Sequence, residues 1–187
     1  MKHIVCYSGG HSSALVAVEV CRKYGSDSVI LLNHDIAAHI EEADIKRFKR
    51  EVAAYLGLPI TYANMDGWET LDQFDVCVKA KAFKVGNGQE LCTHRIKTSP
   101  FMKYLAENFP EKDCIIYYGF DANETKRIQR RSTIMGAQGY RTDYPLALWN
   151  ERTVRDTSDI GIVRPLGYGT FKHANCKGCL KAGLHIS

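Results

Sequence analysis

The sequence predicts an α/β fold: a doubly wound, mostly parallel, five-stranded sheet with helices on both faces. Three observations carry this expectation. Short apolar runs alternate with amphipathic stretches along the 187 residues, the order that calls for parallel strands joined by helical crossovers. Polar clusters (Ser8–Ser13, Asn33-His34-Asp35 and Gly119-Phe120-Asp121) directly follow three of those runs. Right-handed crossovers gather such loops on one sheet edge, where ligands bind. The composition, 45% hydrophobic and 25% charged, is that of an ordinary globular chain.

Each element has its own signal. Ile4–Tyr7 is the first apolar run. Ser12–Tyr24 places Ala14, Leu15, Val18 and Cys21 on one helical stripe and closes at Gly25. Val29–Leu32 is the second strand. Glu41 to Leu56 is amphipathic, with Ile45, Phe48, Val52 and Leu56 at helical spacing and Gly57 suited to the C-cap. Ile60–Ala63 is the third strand, and Trp68–Lys79 a weaker helix. Gly86-Asn87-Gly88 marks a turn. Thr98-Ser99-Pro100 starts a helix backed by Phe101, Tyr104 and Leu105. Cys114–Tyr118 is the clearest strand. Glu124–Met135 is a basic helix, and Tyr144-Pro145-Leu146 is expected to form a short edge element. At this length we expect one domain, 1–187, with 164–187 as a Gly- and Lys-rich C-terminal segment.

Composition also excludes. No stretch of about 18 uninterrupted apolar residues exists, so no membrane span is expected. The N-terminus turns polar at Ser8, too soon for a signal peptide. Seven cysteines, an odd number without an export signal, read as reduced thiols in a cytoplasmic protein. Cys6, Cys21, Cys77 and Cys114 sit in apolar or helical patterns and read as small buried hydrophobes. The net charge of +4 favours small anionic ligands slightly.

Three groups of residues carry chemistry. Ser8-Gly9-Gly10-His11-Ser12-Ser13 is a glycine-rich loop between a strand and a helix. Its glycines allow close backbone approach, and the helix start offers unpaired N–H groups and a positive dipole end. With three hydroxyls added, it reads as a phosphate site. It is neither a Walker A loop nor G-x-G-x-x-G. Cys176-Lys177-Gly178-Cys179 brings two thiols within chelating distance. On the basic helix, Arg127, Arg130 and Arg131 share a face behind Glu124, suited to clamping a phosphate or sulfate. That helix also raises nucleic acid as a partner. Asn33 and Asp35 end the second strand, where Asp35 suits a ribose hydroxyl. His34 reads as a turn histidine and Glu41 as a first-turn residue favoured by the dipole.

The order of these motifs resembles a known family. Ser8-Gly9-Gly10-x-x-Ser13 resembles the PP-loop, S-G-G-x-D-S, of the adenine nucleotide α-hydrolase superfamily. Cys92-Thr93-His94-Arg95-Ile96-Lys97-Thr98-Ser99-Pro100 is similar to the C-x-x-x-x-K-x-x-P segment of phosphoadenosine phosphosulfate (PAPS) reductase-like proteins. Gly119 to Arg127 resembles their G-x-x-x-x-E-x-x-R segment. Tyr144-Pro145-Leu146 with Trp149 resembles P-L-x-x-W, and His173 to Cys179 their G-C-x-x-C region. The resemblance implies a Rossmann-like PP-loop (HUP) fold that binds ATP, PAPS or adenylylsulfate. The phosphates would sit on Ser8–Ser13, with Lys97, Gly119, Glu124 and Arg127 at the same site.

It further implies Cys92, Cys176 and Cys179 as catalytic thiols or as ligands of a [4Fe–4S] cluster. Three thiols leave one iron open. Alternatively, His94 or His173 completes a zinc set, or Cys176 and Cys179 form a redox pair. Magnesium would accompany ATP, and a thiol donor such as thioredoxin would serve a reductase. The chain departs from the pattern at Ser12, where the family has Asp, and at His11, where it has Lys. Lys181-Ala182-Gly183-Leu184-His185 lacks the thiol of the reductases' terminal E-C-G-L-H. The expected function is therefore adenylation of an acceptor, with release of pyrophosphate, for sulfur transfer. Reduction of PAPS or adenylylsulfate, and nucleotide binding without turnover, are the alternatives.

Overall fold

A computed structural model describes residues 1–33, 43–64, 70–82 and 97–169. Its strands are β1 (Lys2–Cys6), β2 (Val29–Asn33), β3 (Ile60–Tyr62), β4 (Cys114–Tyr117) and β5 (Arg141–Asp143). They form one sheet in the order β3-β2-β1-β4-β5, and every pairing is parallel. The helices are α1 (His11–Tyr24), α2 (Ala43–Leu56), α3 (Gln73–Ala80), α4 (Ser99–Asn108), α5 (Thr125–Ala137) and the short α6 (Pro145–Leu148).

The two-residue period of β1 divides the core. Val5 and Tyr7 point to one face, where they meet α1, α2 and Leu146 of α6. Ile4 points to the other, where Phe101 and Leu105 of α4 and Met135 of α5 cover the sheet. Helices therefore lie on both faces, as continuous apolar strands such as Val29–Leu32 require. The chain winds outward from β1 to β3 and then returns to β4 on the opposite side. The order reverses between β1 and β4, which makes the end of that pair the switch point of the sheet.

Two details correct or extend the sequence reading. Tyr144-Pro145-Leu146 is not the edge element. The edge strand is the preceding Arg141–Asp143, and Pro145 opens α6 instead, because proline cannot donate to a ladder but suits a first helical turn. Asp143 then closes this corner by accepting from the Tyr144 N–H (2.7 Å) and the Trp149 indole N–H (3.0 Å).

The second detail is a strap after α6, residues 150–166, which crosses α1 and α2. Glu19 of α1, fully buried, accepts from the backbone N–H groups of Thr153 (2.8 Å) and Val154 (2.7 Å) and from Arg22 Nε (2.9 Å). Asp44 of α2 accepts from Leu166 N–H at 2.6 Å, and Arg47 donates to the Val163 carbonyl at 3.2 Å. The strap explains why α1 is buried almost all round.

Candidate functional site

Two loops converge at the switch point, the one after β1 and the one after β4. After β1 the ladder continues one step, with Tyr7 N–H donating to the Leu32 carbonyl (2.8 Å). The chain then turns through Gly9, at φ +81°, and extended Gly10 into α1. Gly9 is needed for its left-handed backbone and for space: a Cβ there would lie 3.2 Å from both Ile45 Cγ2 and Lys49 Cε. The first intrahelical bond is Ala14 N–H to the Gly10 carbonyl (3.1 Å), so the N–H groups of His11, Ser12 and Ser13 precede the helical ladder. The first turn holds no acidic residue. Ser8 is exposed and lies 3.4 Å from Ser13 Oγ, which donates to the Gly10 carbonyl at 2.8 Å.

The loop after β4 rests directly on this turn. A Cβ on Gly119 would lie 3.0 Å from the Ser12 carbonyl carbon and from the Ser13 nitrogen. Only glycine fits there without displacing one loop from the other. Beyond it, Glu124 shapes the turn. Its carboxylate accepts from the Asp121 N–H (2.9 Å) and from Arg127 Nη1 (2.7 Å). Arg127 also lies over the Phe120 ring, 4.2 Å from its centroid. Glu124 thus positions a cation at the edge.

The remaining described candidates fall on the same edge. Asn33 is buried at the end of β2, and its carbonyl accepts from Ala63 N–H at 2.7 Å. Lys97 is exposed just before α4, whose start faces this edge because its end feeds β4. His11 turns toward the strap. Its Nε2 accepts from the Thr157 N–H (3.3 Å) and lies 3.7 Å from Asp156. Burial and the Arg164 charge hold its pKa below the ordinary value, against the opposing pull of Asp156, so the ring is neutral at pH 7. Asp35, Cys92, His94, His173, Cys176 and Cys179 lie outside the described residues. Among the described residues, no group of three or more His, Cys, Asp or Glu is disposed to hold a metal ion. Cys21, Cys77 and Cys114 are buried thiols and Cys6 is half-buried; burial pushes Cys6 up to about 12.

The sequence reading passed over Lys49. It is 3% exposed, its stem packs on Gly9, and its ammonium lies 5.8 Å from the Tyr62 ring centroid at the end of β3. Tyr7 anchors this turn of α2 by donating to the Lys49 carbonyl at 2.8 Å. The signal was present: Lys49 stands at i+4 from Ile45 and i−3 from Val52, on the apolar stripe where a lysine is out of place.

No known protein-family profile matches the chain. It is similar to the uncharacterized nin region protein ORF290 of Escherichia phage lambda, with 27% identity over 206 aligned residues covering 97% of this chain and 66% of that protein. The chain thus spans just under two thirds of that relative's length.

Proposed function

We propose that the chain binds ATP or a related adenine nucleotide at the switch point and is a PAPS reductase-like PP-loop enzyme that adenylates an acceptor for sulfur transfer. The observation that carries this reading is the seating of Gly119 on the Ser12–Ser13 peptide. It joins the loops after β1 and β4 into one floor at the end of the β1–β4 crevice. Phosphates rest on the N–H groups of His11 to Ser13 and on the Ser8 hydroxyl. Lys49, beside Gly9, supplies the cation that His11, being neutral, does not.

In the reaction, an acceptor oxygen attacks the α-phosphorus of ATP. A new P–O bond forms, the bond to the bridging oxygen breaks, and pyrophosphate leaves into the loop. The backbone donors and Lys49 face the charge that grows on the leaving group. A sulfur nucleophile then displaces AMP from the activated acceptor. Cys92, Cys176 and Cys179 are the thiols proposed to hold or deliver that sulfur. A cluster or zinc bound to them would keep the sulfur reduced and accessible.

The test is exchange of labelled pyrophosphate into ATP, with cell extract as the source of acceptor. Exchange that falls in Lys49→Met and Gly119→Ala is the expected result. ATP binding without exchange would instead support a nucleotide-binding protein without turnover, the reading favoured by the absence of any carboxylate in the first turn of α1. Failure to bind ATP, PAPS or adenylylsulfate would overturn both.

A further inference from the structure

We propose that the outer face of α5 is a docking surface for single-stranded polynucleotide, running along the helix from the nucleotide edge. Four cations, Lys126, Arg127, Arg130 and Arg131, stand on α5, and no acidic residue lies between Thr125 and Ala137. The net charge of the whole chain is also +4, so the surplus is equal to this one helix. Met135 is the one fully buried position of α5, while Lys126, Arg127 and Arg130 are exposed. Among the described residues, only Arg127 of the four has a carboxylate within ion-pair distance. On α2, by contrast, Arg47 is flanked by Asp44 and Glu51, each at 2.6 Å. A solvated helix is ordinarily laced with such pairs; α5 is left with charge to be neutralised from outside.

The form of the charge points to nucleic acid. Beneath α5, Tyr118, Phe120 and Tyr144 stack on one another with centroids 5.4 to 6.0 Å apart. Arg127 lies over Phe120 at 4.2 Å and Arg131 over Tyr118 at 5.3 Å. Two guanidinium groups are thereby positioned in advance, about 6 Å apart along the axis, which lowers the cost of ordering them on binding. The Arg127 side chain stays 62% exposed. A guanidinium in this state can pair with a phosphate or stack under a base, a combination that single strands offer. The outer face lacks the apolar surface that a membrane would need: Ile134, 44% exposed, is its one exposed large apolar residue. The basic track starts at Arg127, beside Glu124 and the loop that holds Gly119. A strand lying on it therefore reaches the adenylation edge. That such a strand is the acceptor rests on the proposed function; its docking does not.

The test is fluorescence anisotropy of a labelled single-stranded oligonucleotide, as RNA and as DNA, against full-length wild type and Lys126→Gln/Arg130→Gln across a salt series. Single strands give a log–log slope of about −0.7 per phosphate neutralised, so four cations predict about −3 and the double variant a slope shallower by about 1.4. The variant should melt at the wild-type temperature, because both side chains are exposed. Wild type that fails to bind at low salt, a slope equal in both proteins, or competition by poly-glutamate as strong as by the oligonucleotide would overturn the proposal. Loss of ATP binding in wild type with the salt slope intact would strike the proposed function alone.

Discussion

Two residues bear most of the weight at the edge. Gly119 has no room for a methyl group, since the atoms 3.0 Å away are backbone. Gly119→Ala should cost about 1–3 kcal/mol of stability, as overpacked sites do, and should reduce ATP affinity further than stability loss explains. Urea unfolding beside ATP titration separates the two effects. Lys49→Met keeps the packed stem and removes the charge. Since a charge-assisted hydrogen bond contributes about 1.5–3 kcal/mol, ATP affinity should fall at least about tenfold. A variant with unchanged ATP affinity would remove Lys49 from the site. Lys49 also shows why sequence alone missed it. A lysine on an apolar stripe reads as a blemish in the amphipathic pattern until Gly9, 40 positions earlier, is seen to lie against it.

At the scale of elements, the strap is the part of the molecule most sensitive to acid. Burial alone would raise the Glu19 pKa, but the N–H groups of Val154 and Thr153 and the Arg22 guanidinium outweigh it and hold it low. The Ser158 N–H and Arg164 hold Asp156 well below the carboxylate range, and Arg47 with the Leu166 N–H lowers Asp44. Each carboxylate stabilises the fold above its ordinary pKa and loses that contribution as pH falls through its lowered one. His11 is also lowered, so its neutral form is favoured in the fold, and its contribution declines as pH drops below about 6.5. All four act in one direction. Amides of Thr153, Val154, Thr157 and Leu166 should lose hydrogen-exchange protection on acidification before those of β1 and β4. Uniform protection across strap and sheet would contradict this.

Glu19→Ala should destabilise by about 3 kcal/mol, because it leaves two backbone N–H groups without their acceptor. None of this was readable in the sequence. Glu19 sits within an apolar helix, and its partners lie more than 130 residues away in a stretch without periodicity. β5 was hidden for a related reason: Arg141-Thr142-Asp143 is a polar edge strand three residues long, with none of the apolar run that marked β1, β2 and β4.

For the whole molecule, the periodic pattern was sufficient. Apolar runs buried on both faces, alternating with one-sided helices, lead to a parallel doubly wound sheet, and the observed order β3-β2-β1-β4-β5 is that architecture. The order itself could not be read from the pattern, because it depends on which side of β1 the chain returns to after β3. That return creates the switch point and brings Ser8–Ser13 against Gly119, residues more than 100 positions apart. Among the described residues, no helix is long and apolar enough to cross a membrane.

The central claim is that an adenine nucleotide sits where those two loops meet. The measurement that tests it most directly is an amide NMR titration of the full chain with ATP. The account predicts the largest shifts at Gly9 to Ala14 and at Tyr118 to Glu124, with the start of the sheet at Lys2 and His3 unmoved. Shifts confined to other parts of the molecule, or none at saturating ATP, would contradict it.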